Sequence, residues 1–318
     1  MRTNNESANI DLAERMKNYE QPTRAYLEGK CHSILRVDGV CFHTYTKQFA
    51  NCFSNEVIHA MDSAATALLL GVQGSVGVYV QSDEISVLFT NTKGDKTQLW
   101  FDGNIQKICS VGASIATAEF NDAIYLENGI KPQGRALFDG RVFMLPKEDV
   151  CNYFVWRTRD ARRNSVSQLA RLYYSHRELL GKSGLVMLQM LRDKGVNAME
   201  ELTARMYSGC LYVREKVPIE TDEGDLVQRN TIQRRVLGDN SYAEWKSLLF
   251  PTDETQSHRE CGMSGKVVSA FPWYGLCSHS AGLFLWQQFR AQVYYEIWED
   301  LNTLLDNKYT LVYETNRH

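Results

Sequence analysis

The chain has 318 residues, a formal net charge of -3, and 44% hydrophobic against 23% charged residues. That length suits two ordinary domains or one large domain with an appendage, and the balance is that of a globular protein, which excludes wholesale disorder. No apolar run approaches the ~20 residues that a bilayer span needs, and a slightly acidic chain grips nucleic acid only where its basic residues gather on one face.

The first twenty residues are polar and mixed in charge, with no apolar core for a signal peptide, so the expected location is cytoplasmic. The eight cysteines (Cys31, Cys41, Cys52, Cys109, Cys151, Cys210, Cys261, Cys277) form no C-x-x-C pair. They suit neither a zinc ribbon nor a disulfide scaffold and are expected to be reduced and mostly buried.

Ser33–Val37 is a short strand ending at Asp38-Gly39. Ser54 reads as an N-cap, opening a helix with Val57, Met61, Ala64 and Leu68 on one face and Gly71 as its stop. Ser75–Gln81 and Ile85–Thr90 are β-rich runs around Ser82-Asp83-Glu84 and read as a hairpin. Gly103–Asp122 is a second helix, and Leu137–Leu145 a strand stopped by Pro146. Four helices follow, at Asp149–Arg163, Ser165–Leu180, Leu185–Lys194 and Ala198–Tyr207, then a strand pair at Cys210–Arg214 and Thr231–Leu237. Beyond Gly238 the chain is rich in aromatic and Gly/Ser turns, with one long helix at about Ala281–Leu305.

The order β-α-β-β-α-β defines an α+β, ferredoxin-like arrangement. In it the first and third strands are antiparallel neighbours, so Asp38, ending one, meets Asp83, opening the other. Phosphoryl transfer needs metal ions and phosphates held in line more than covalent help. Two carboxylates and a backbone carbonyl can hold a pair of Mg²⁺ ions about 3.5–4 Å apart, with water and substrate phosphate completing each octahedron. Asp38, the Gly39 carbonyl and Asp83 suit that role. The peptide after Asp38, Gly39-Val40-Cys41-Phe42, can turn back and offer N–H groups to a triphosphate. Gly39, without a Cβ, lets backbone approach a ligand. Arg36 and His43 flank the turn within reach of phosphate. Taken singly, Asp-Gly after a strand is a plain turn and Ser-Asp-Glu a solvated hairpin tip; their convergence points to a metal–nucleotide palm of the kind polymerases and cyclases share.

The same residues resemble a family. Arg36-Val37-Asp38-Gly39-Val40-Cys41-Phe42-His43 is similar to the R-x-D-G-x-x-F-H segment of tRNA-His guanylyltransferases, and Gln81–Ser86 to their S-D-E turn. Phe138–Val142 resembles their F-D-G-R-V strand, and Trp156-Arg157 with Asp160 their W-R-x-x-D helix. The four lie in matching order across Cys31–Leu237. Trp100-Phe101-Asp102, Gln106-Lys107, Ala118–Asn121 and Asp160–Val166 resemble the bacterial-type, guanylyltransferase-like branch. Where eukaryotic members carry H-I-N-N-L-Y-N, this chain has Arg162–Gln168, a departure at the segment that goes with strict tRNA-His discrimination. Their basic cluster before the second palm helix is reduced to Lys96 and Lys107.

The resemblance implies a 3′-5′ RNA polymerase acting on tRNA, often as a homotetramer, with ATP and GTP as substrates and no membrane partner. ATP or GTP activates the 5′ phosphate, and the 3′-hydroxyl of an incoming nucleotide attacks it. The like-protein branch implies template-dependent repair of 5′-truncated tRNA. Asp38 and Asp83 are then catalytic metal ligands beside Gly39. Nucleotide contacts fall to Arg36, Asp38, Gly39, Val40, Cys41, Phe42, His43, Ser82, Asp83 and Lys107. RNA contacts fall to Arg157, Arg162, Arg163 and Asn164, which with Arg171 read either as a phosphate track or as a solvated helix face. Phe42 and Trp156 read as core before base stacking, and Glu84 either orients a ligand or solvates its turn. Residues 1–147 form the palm-like domain with its lead-in, 148–237 complete the core, and 238–318 are an extension of unassigned role. Two other readings stand beside this one: a nucleotide cyclase or conventional palm polymerase, and a non-catalytic tRNA-binding protein with a degenerate palm.

Overall fold

A computed structural model describes residues 12–49, 53–128, 132–220, 226–238 and 240–251. The long helix expected near Ala281–Leu305 lies outside these residues. In chain order the elements are α1 (Leu12–Glu20), β1 (His32–Gly39), α2 (Phe42–Tyr45), α3 (Asn55–Gly71), β2 (Ser75–Gln81), β3 (Glu84–Thr90), α4 (Ile105–Asn128), β4 (Phe138–Leu145), α5 (Lys147–Tyr173), α6 (His176–Leu179), α7 (Gly184–Asp193), α8 (Ala198–Glu201), α9 (Ala204–Ser208), β5 (Cys210–Glu220), β6 (Leu226–Val236) and α10 (Tyr242–Leu249). Of the described residues, 12–215 and 232–251 fall in one compact unit and 216–231 in a second. Among the described residues no helix is long and apolar enough to cross a membrane.

The six strands form a mixed α/β structure's single sheet in the order β4-β1-β3-β2-β5-β6. β1 lies antiparallel between β4 and β3, and β2 pairs antiparallel with β3 and β5. Alternation along β1 decides what each face meets. Leu35 and Val37 join Val78, Val80, Val87 and Phe89 in a buried cluster with α3 and α4. Ile34 joins Tyr79, Leu88, Phe154 and Trp245 in a cluster on the other face, under α5 and α10. Arg36 and Asp38 share the parity of Ile34 and therefore belong to the α5 face. Both sheet faces are covered, which is why β3 is buried along its whole length.

Glycines let α4 approach the sheet. A Cβ on Gly112 would stand 2.5 Å from the Leu35 side chain, and one on Gly140 would stand 2.7 Å from the Cys109 carbonyl. α9 is fastened to α3 by Arg205, whose Nε and Nη2 donate to Asp62 Oδ1 at 3.0 and 2.6 Å.

Several elements depart from the periodicity. The break expected between Arg163 and Ser165 is absent, and α5 runs through it for 27 residues. The polar run there is helix surface, and Ser165 Oγ bonds back to the Arg162 carbonyl at 2.9 Å. The helix expected over Ala198–Tyr207 is two short ones, because Thr203 caps a new start by accepting from Met206 N–H. Ser54 has the extended backbone of an N-cap, but its side chain makes no capping bond, and its buried hydroxyl has no partner among the described residues. Trp156, expected in the core, is 53% exposed. The described cysteines are free, yet only Cys151 and Cys210 are buried, whereas Cys41 is exposed.

Candidate active site

β1 delivers Asp38 to the end of the sheet, and the β2–β3 turn delivers Asp83 beside it. The two turns are tied: Gly39 N–H donates to the Asp83 carbonyl at 3.1 Å. Among the described residues the return bond from Asp83 N–H to the Gly39 carbonyl is not formed. Its own backbone and the Ser82 side chain favour the charged Asp83 carboxyl without outweighing its burial. Ser82 stands at φ 46° and Cys41 at φ 52°. Left-handed backbone at these two non-glycine residues is local strain on the turns that carry the carboxylates.

Both carboxylates sit in surroundings that disfavour their charge. Burial, then the neighbouring Asp38 charge, raises the Asp83 carboxyl above its ordinary range. Burial, then Asp139, raises that of Asp38, with Arg141, Arg36 and Arg157 opposing. Burial and like charge at both carboxylates are what a cation beside them would relieve. Among the described residues no group of three or more His, Cys, Asp or Glu side chains is arranged to hold an ion. Asp38, Asp83 and the free Gly39 carbonyl form an all-oxygen donor set that is sparse in protein ligands. That chemistry fits Mg²⁺, which keeps water and substrate phosphate in most of its octahedron.

The turn after Asp38 is only partly open to a ligand. Gly39 N–H is used by Asp83, and Val40 N–H donates to the Leu137 carbonyl at 2.8 Å. The expectation that Val40 offers its N–H is therefore corrected, and Cys41, Phe42 and His43 carry the N–H groups that no described residue accepts. Gly39 is needed for packing: a Cβ there would lie 2.4 Å from the Phe42 ring. Phe42 is core, in contact with Tyr45, Phe120 and Phe138. His43 is exposed at the same turn.

α4, which carries the exposed Lys107, packs on the sheet face that Asp38 does not share. Two residues after Lys107, the Cys109 carbonyl lies 2.7 Å from where a Cβ on Gly140 would stand, and Gly140 adjoins Asp139, the partner of Asp38 across the β1–β4 ladder. Further along, Thr117 Oγ1 accepts from Phe138 N–H at 3.2 Å.

The arginines divide. Arg157 is buried and donates from Nε and Nη2 to Glu84 at 2.7 and 2.5 Å, with Asp160 at 3.2 Å. It braces the turn from within, so it leaves the RNA track proposed for it, and the buried Glu84 does not solvate the turn. Arg162 Nε donates to Ser208 Oγ at 2.9 Å and Nη2 to Gly238 O at 3.0 Å, with Tyr207 under its guanidinium. It too is committed to the fold. Arg163 and Asn164 are exposed, and both hydrogen-bond Asp160. Sequence reasoning missed Asp139 and Arg141. Asp139 stands directly across the β1–β4 ladder from Asp38, and Arg141 across from Arg36. The alternation in Phe138-Asp139-Gly140-Arg141 carried the signal, but only the register places it.

Comparison with known proteins meets the same segment. Residues 13–146 match the tRNAHis guanylyltransferase family. A bacterial tRNA(His) guanylyltransferase-like protein, solved in complex with ATP, is 38% identical, with a TM-score of 0.60, over 68% of this chain and 91% of that one. The chain belongs to the tRNA(His) guanylyltransferase family. It is a guanylyltransferase-like nucleotidyltransferase. A bacterial guanylyltransferase-like protein in complex with GTP is 34% identical, with a TM-score of 0.55, over 70% of this chain and 90% of that one. A probable tRNA(His) guanylyltransferase of Mus musculus is 27% identical over 142 residues, which is 43% of this chain and 45% of the mouse protein. The family match spans β1 to β4 and therefore both carboxylate turns.

Proposed function

We propose that this nucleotidyltransferase adds nucleotides to the 5′ end of tRNA, growing the strand in the 3′-5′ direction and repairing truncated 5′ ends against the opposite strand. The observation that carries the reading is the convergence of Asp38 and Asp83 beside a free Gly39 carbonyl. In this reading β1–β4 with α3 and α4 are a ferredoxin-like palm, supported by the antiparallel order β4-β1-β3-β2. We read residues 1–147 as that palm with its lead-in, and assembly as a homotetramer belongs to the same proposal.

Asp38, Asp83 and the Gly39 carbonyl would hold Mg²⁺. Bound there, Mg²⁺ supplies charge neutralisation at the phosphate under attack. Arg36 and His43, with the N–H groups of Cys41, Phe42 and His43, would hold the triphosphate of ATP or GTP. In the first step the RNA 5′ phosphate displaces pyrophosphate from the nucleotide, leaving an activated 5′ end. In the second, the 3′-hydroxyl of the incoming nucleotide attacks that 5′ phosphate, and the activating nucleoside monophosphate leaves. Arg157 acts on neither step directly; it fixes Glu84, and so the turn that aims Asp83.

The test is to incubate the purified chain with 5′-truncated, 5′-monophosphorylated tRNA, Mg²⁺, ATP and GTP. Extension of the 5′ end is expected. No 5′ extension on any truncated tRNA, with pyrophosphate release absent as well, overturns the reading.

A further inference from the structure

Trp156 keeps a large apolar side chain in solvent while its neighbours Tyr153, Phe154 and Arg157 are buried. The ring is held in place even so. The Arg157 guanidinium lies over it at 4.6 Å, and Tyr153 meets it edge-on at 5.9 Å. Those two residues are themselves locked to the sheet: Arg157 by its two bonds to Glu84, Tyr153 by a 2.9 Å hydroxyl contact with Ser86. Glu84 stands opposite Asp38 in the β1–β3 ladder and follows Asp83. A rigid, half-exposed indole is therefore two contacts from the carboxylate turns.

The rest of this helix face is basic. Arg159 and Arg163 follow Trp156 at i+3 and i+7, and all three are exposed. Arg159 makes no ion pair with any described residue, and Arg163 shares the half-buried Asp160 with Arg157. An aromatic surface set in a line of cations is the arrangement that takes stacked bases and their phosphates together. A protein partner would need apolar surface continuous with the ring; charged side chains stand along the helix instead.

We propose that Trp156 is the stacking platform for the terminal base of the RNA strand beside the reacting phosphate, with Arg159 and Arg163 following that strand's backbone. The proposal rests on the nucleotidyl-transfer reading, from which its test can be separated. Base stacking on an aromatic side chain contributes ~1–3 kcal/mol by alanine substitution, so Trp156→Ala should raise the Kd for truncated tRNA by about 5- to 140-fold. Because the side chain is exposed, thermal melting of that variant should stay near the parent's.

The experiment uses the full chain and a truncated tRNA carrying 2-aminopurine at its first 5′ position. Binding should quench the fluorescence in the parent and in Trp156→Phe, and leave it bright in Trp156→Ala. Equal quenching in parent and Trp156→Ala, with the parent still extending RNA, overturns the platform and leaves the proposed function standing. A parent that fails to extend RNA sinks the proposed function, while loss of quenching in Trp156→Ala alone still supports the platform. Equal loss in Trp156→Phe and Trp156→Ala, with lowered melting, makes the ring a fold element and overturns the proposal. So does a Trp156→Ala chain that binds RNA normally but elutes at a smaller assembly size, which would assign the ring to a contact between copies.

Discussion

Arg157 grips Glu84 with two arms of its guanidinium, at 2.7 and 2.5 Å, in a buried layer behind the turn that carries Asp83. Removing one member of a buried pair strands the other charge, which typically costs 3–5 kcal/mol. Arg157→Ala should therefore destabilise the chain by roughly that amount in urea unfolding. Arg157→Lys should recover little, because an ammonium cannot match two carboxylate oxygens in a plane. The double change Arg157→Met with Glu84→Gln should recover most of it. A loss under about 1 kcal/mol in Arg157→Ala would show that the pair does not hold the turn.

Asp38 and Asp83 both have carboxyls raised above the ordinary range, Asp83 through burial and then Asp38. The folded, metal-free protein keeps their protons at a pH where the unfolded chain has lost them. Their contribution to stability is full below the unfolded pKa and disappears as pH rises through the folded values. Asp83→Asn removes that penalty. In the absence of divalent ions it should melt above the parent at neutral pH, with the difference shrinking as pH falls into the ordinary carboxylate range. The same variant, and Asp38→Asn, should lose nucleotide addition and the rise in melting temperature that Mg²⁺ gives the parent. A metal-free Asp83→Asn that melts below the parent at neutral pH would contradict the cost of burying the Asp83 charge beside Asp38.

Gly39 makes room for Phe42. A methyl group there would meet the Phe42 ring at 2.4 Å, with further contacts at 2.7 and 2.9 Å. Overpacking of this kind typically costs 1–3 kcal/mol. Gly39→Ala should lose about that much stability and much of its activity, since the displaced turn carries Asp38. Adding Phe42→Leu should restore stability relative to the single variant. A stable, fully active Gly39→Ala would place the Phe42 ring elsewhere.

How much of this was legible follows from what periodicity encodes. Alternation in Ser33–Val37 and the flanks of Ser82-Asp83-Glu84 carried the strands, and strand order alone was enough to bring Asp38 to Asp83. Rotation and register were not so accessible. Trp156 and Arg157 are adjacent on α5, and a rotation of about a hundred degrees decides which is buried. The sheet offered Glu84 as a partner for a guanidinium, so the arginine went in and the indole stayed out. Asp139 needed the β1–β4 register before it could be set against Asp38. Bonds such as Val40 N–H to Leu137 O leave no trace in residue type.

Arg162 and Arg163 are neighbours with different tasks, which a paired experiment can separate. Arg162 donates to Ser208 and Gly238 inside the fold. Losing hydrogen bonds to a charged group costs roughly 1.5–3 kcal/mol, so Arg162→Ala should lower stability while leaving the salt dependence of RNA binding as it was. Arg163 is exposed on the face that carries Arg159. Arg159→Ala with Arg163→Ala should weaken binding to many tRNAs alike and reduce the slope of log K against log salt by about 0.7–0.9 per lost phosphate contact. The check is a salt titration of both proteins. An unchanged slope in the Arg159/Arg163 variant would reduce that face to a solvated surface.

The choice of incoming nucleotide should be made by the RNA. The segment Arg162–Gln168 stands where eukaryotic relatives carry H-I-N-N-L-Y-N, and its first arginine is bonded into the fold instead of facing a ligand. Neighbouring Arg163 and Asn164 are turned to solvent and engaged with Asp160. Asn164, Ser165 and Gln168 of that segment line a cleft with Gln81 and Ser82, beside the Asp83 turn. That cleft should accept any base, with discrimination coming from geometry that every matched pair satisfies. Pairing with the template base across the acceptor stem supplies it, since a matched pair brings the 3′-hydroxyl in line with the activated 5′ phosphate and a mismatched one does not. The chain should therefore restore a missing 5′ nucleotide on several truncated tRNAs, adding whichever base pairs with the template. Changing only that template base should change the nucleotide added. Guanylate addition that ignores the template and occurs on tRNA-His alone would return the chain to the eukaryotic activity and remove template-directed repair from its proposed function.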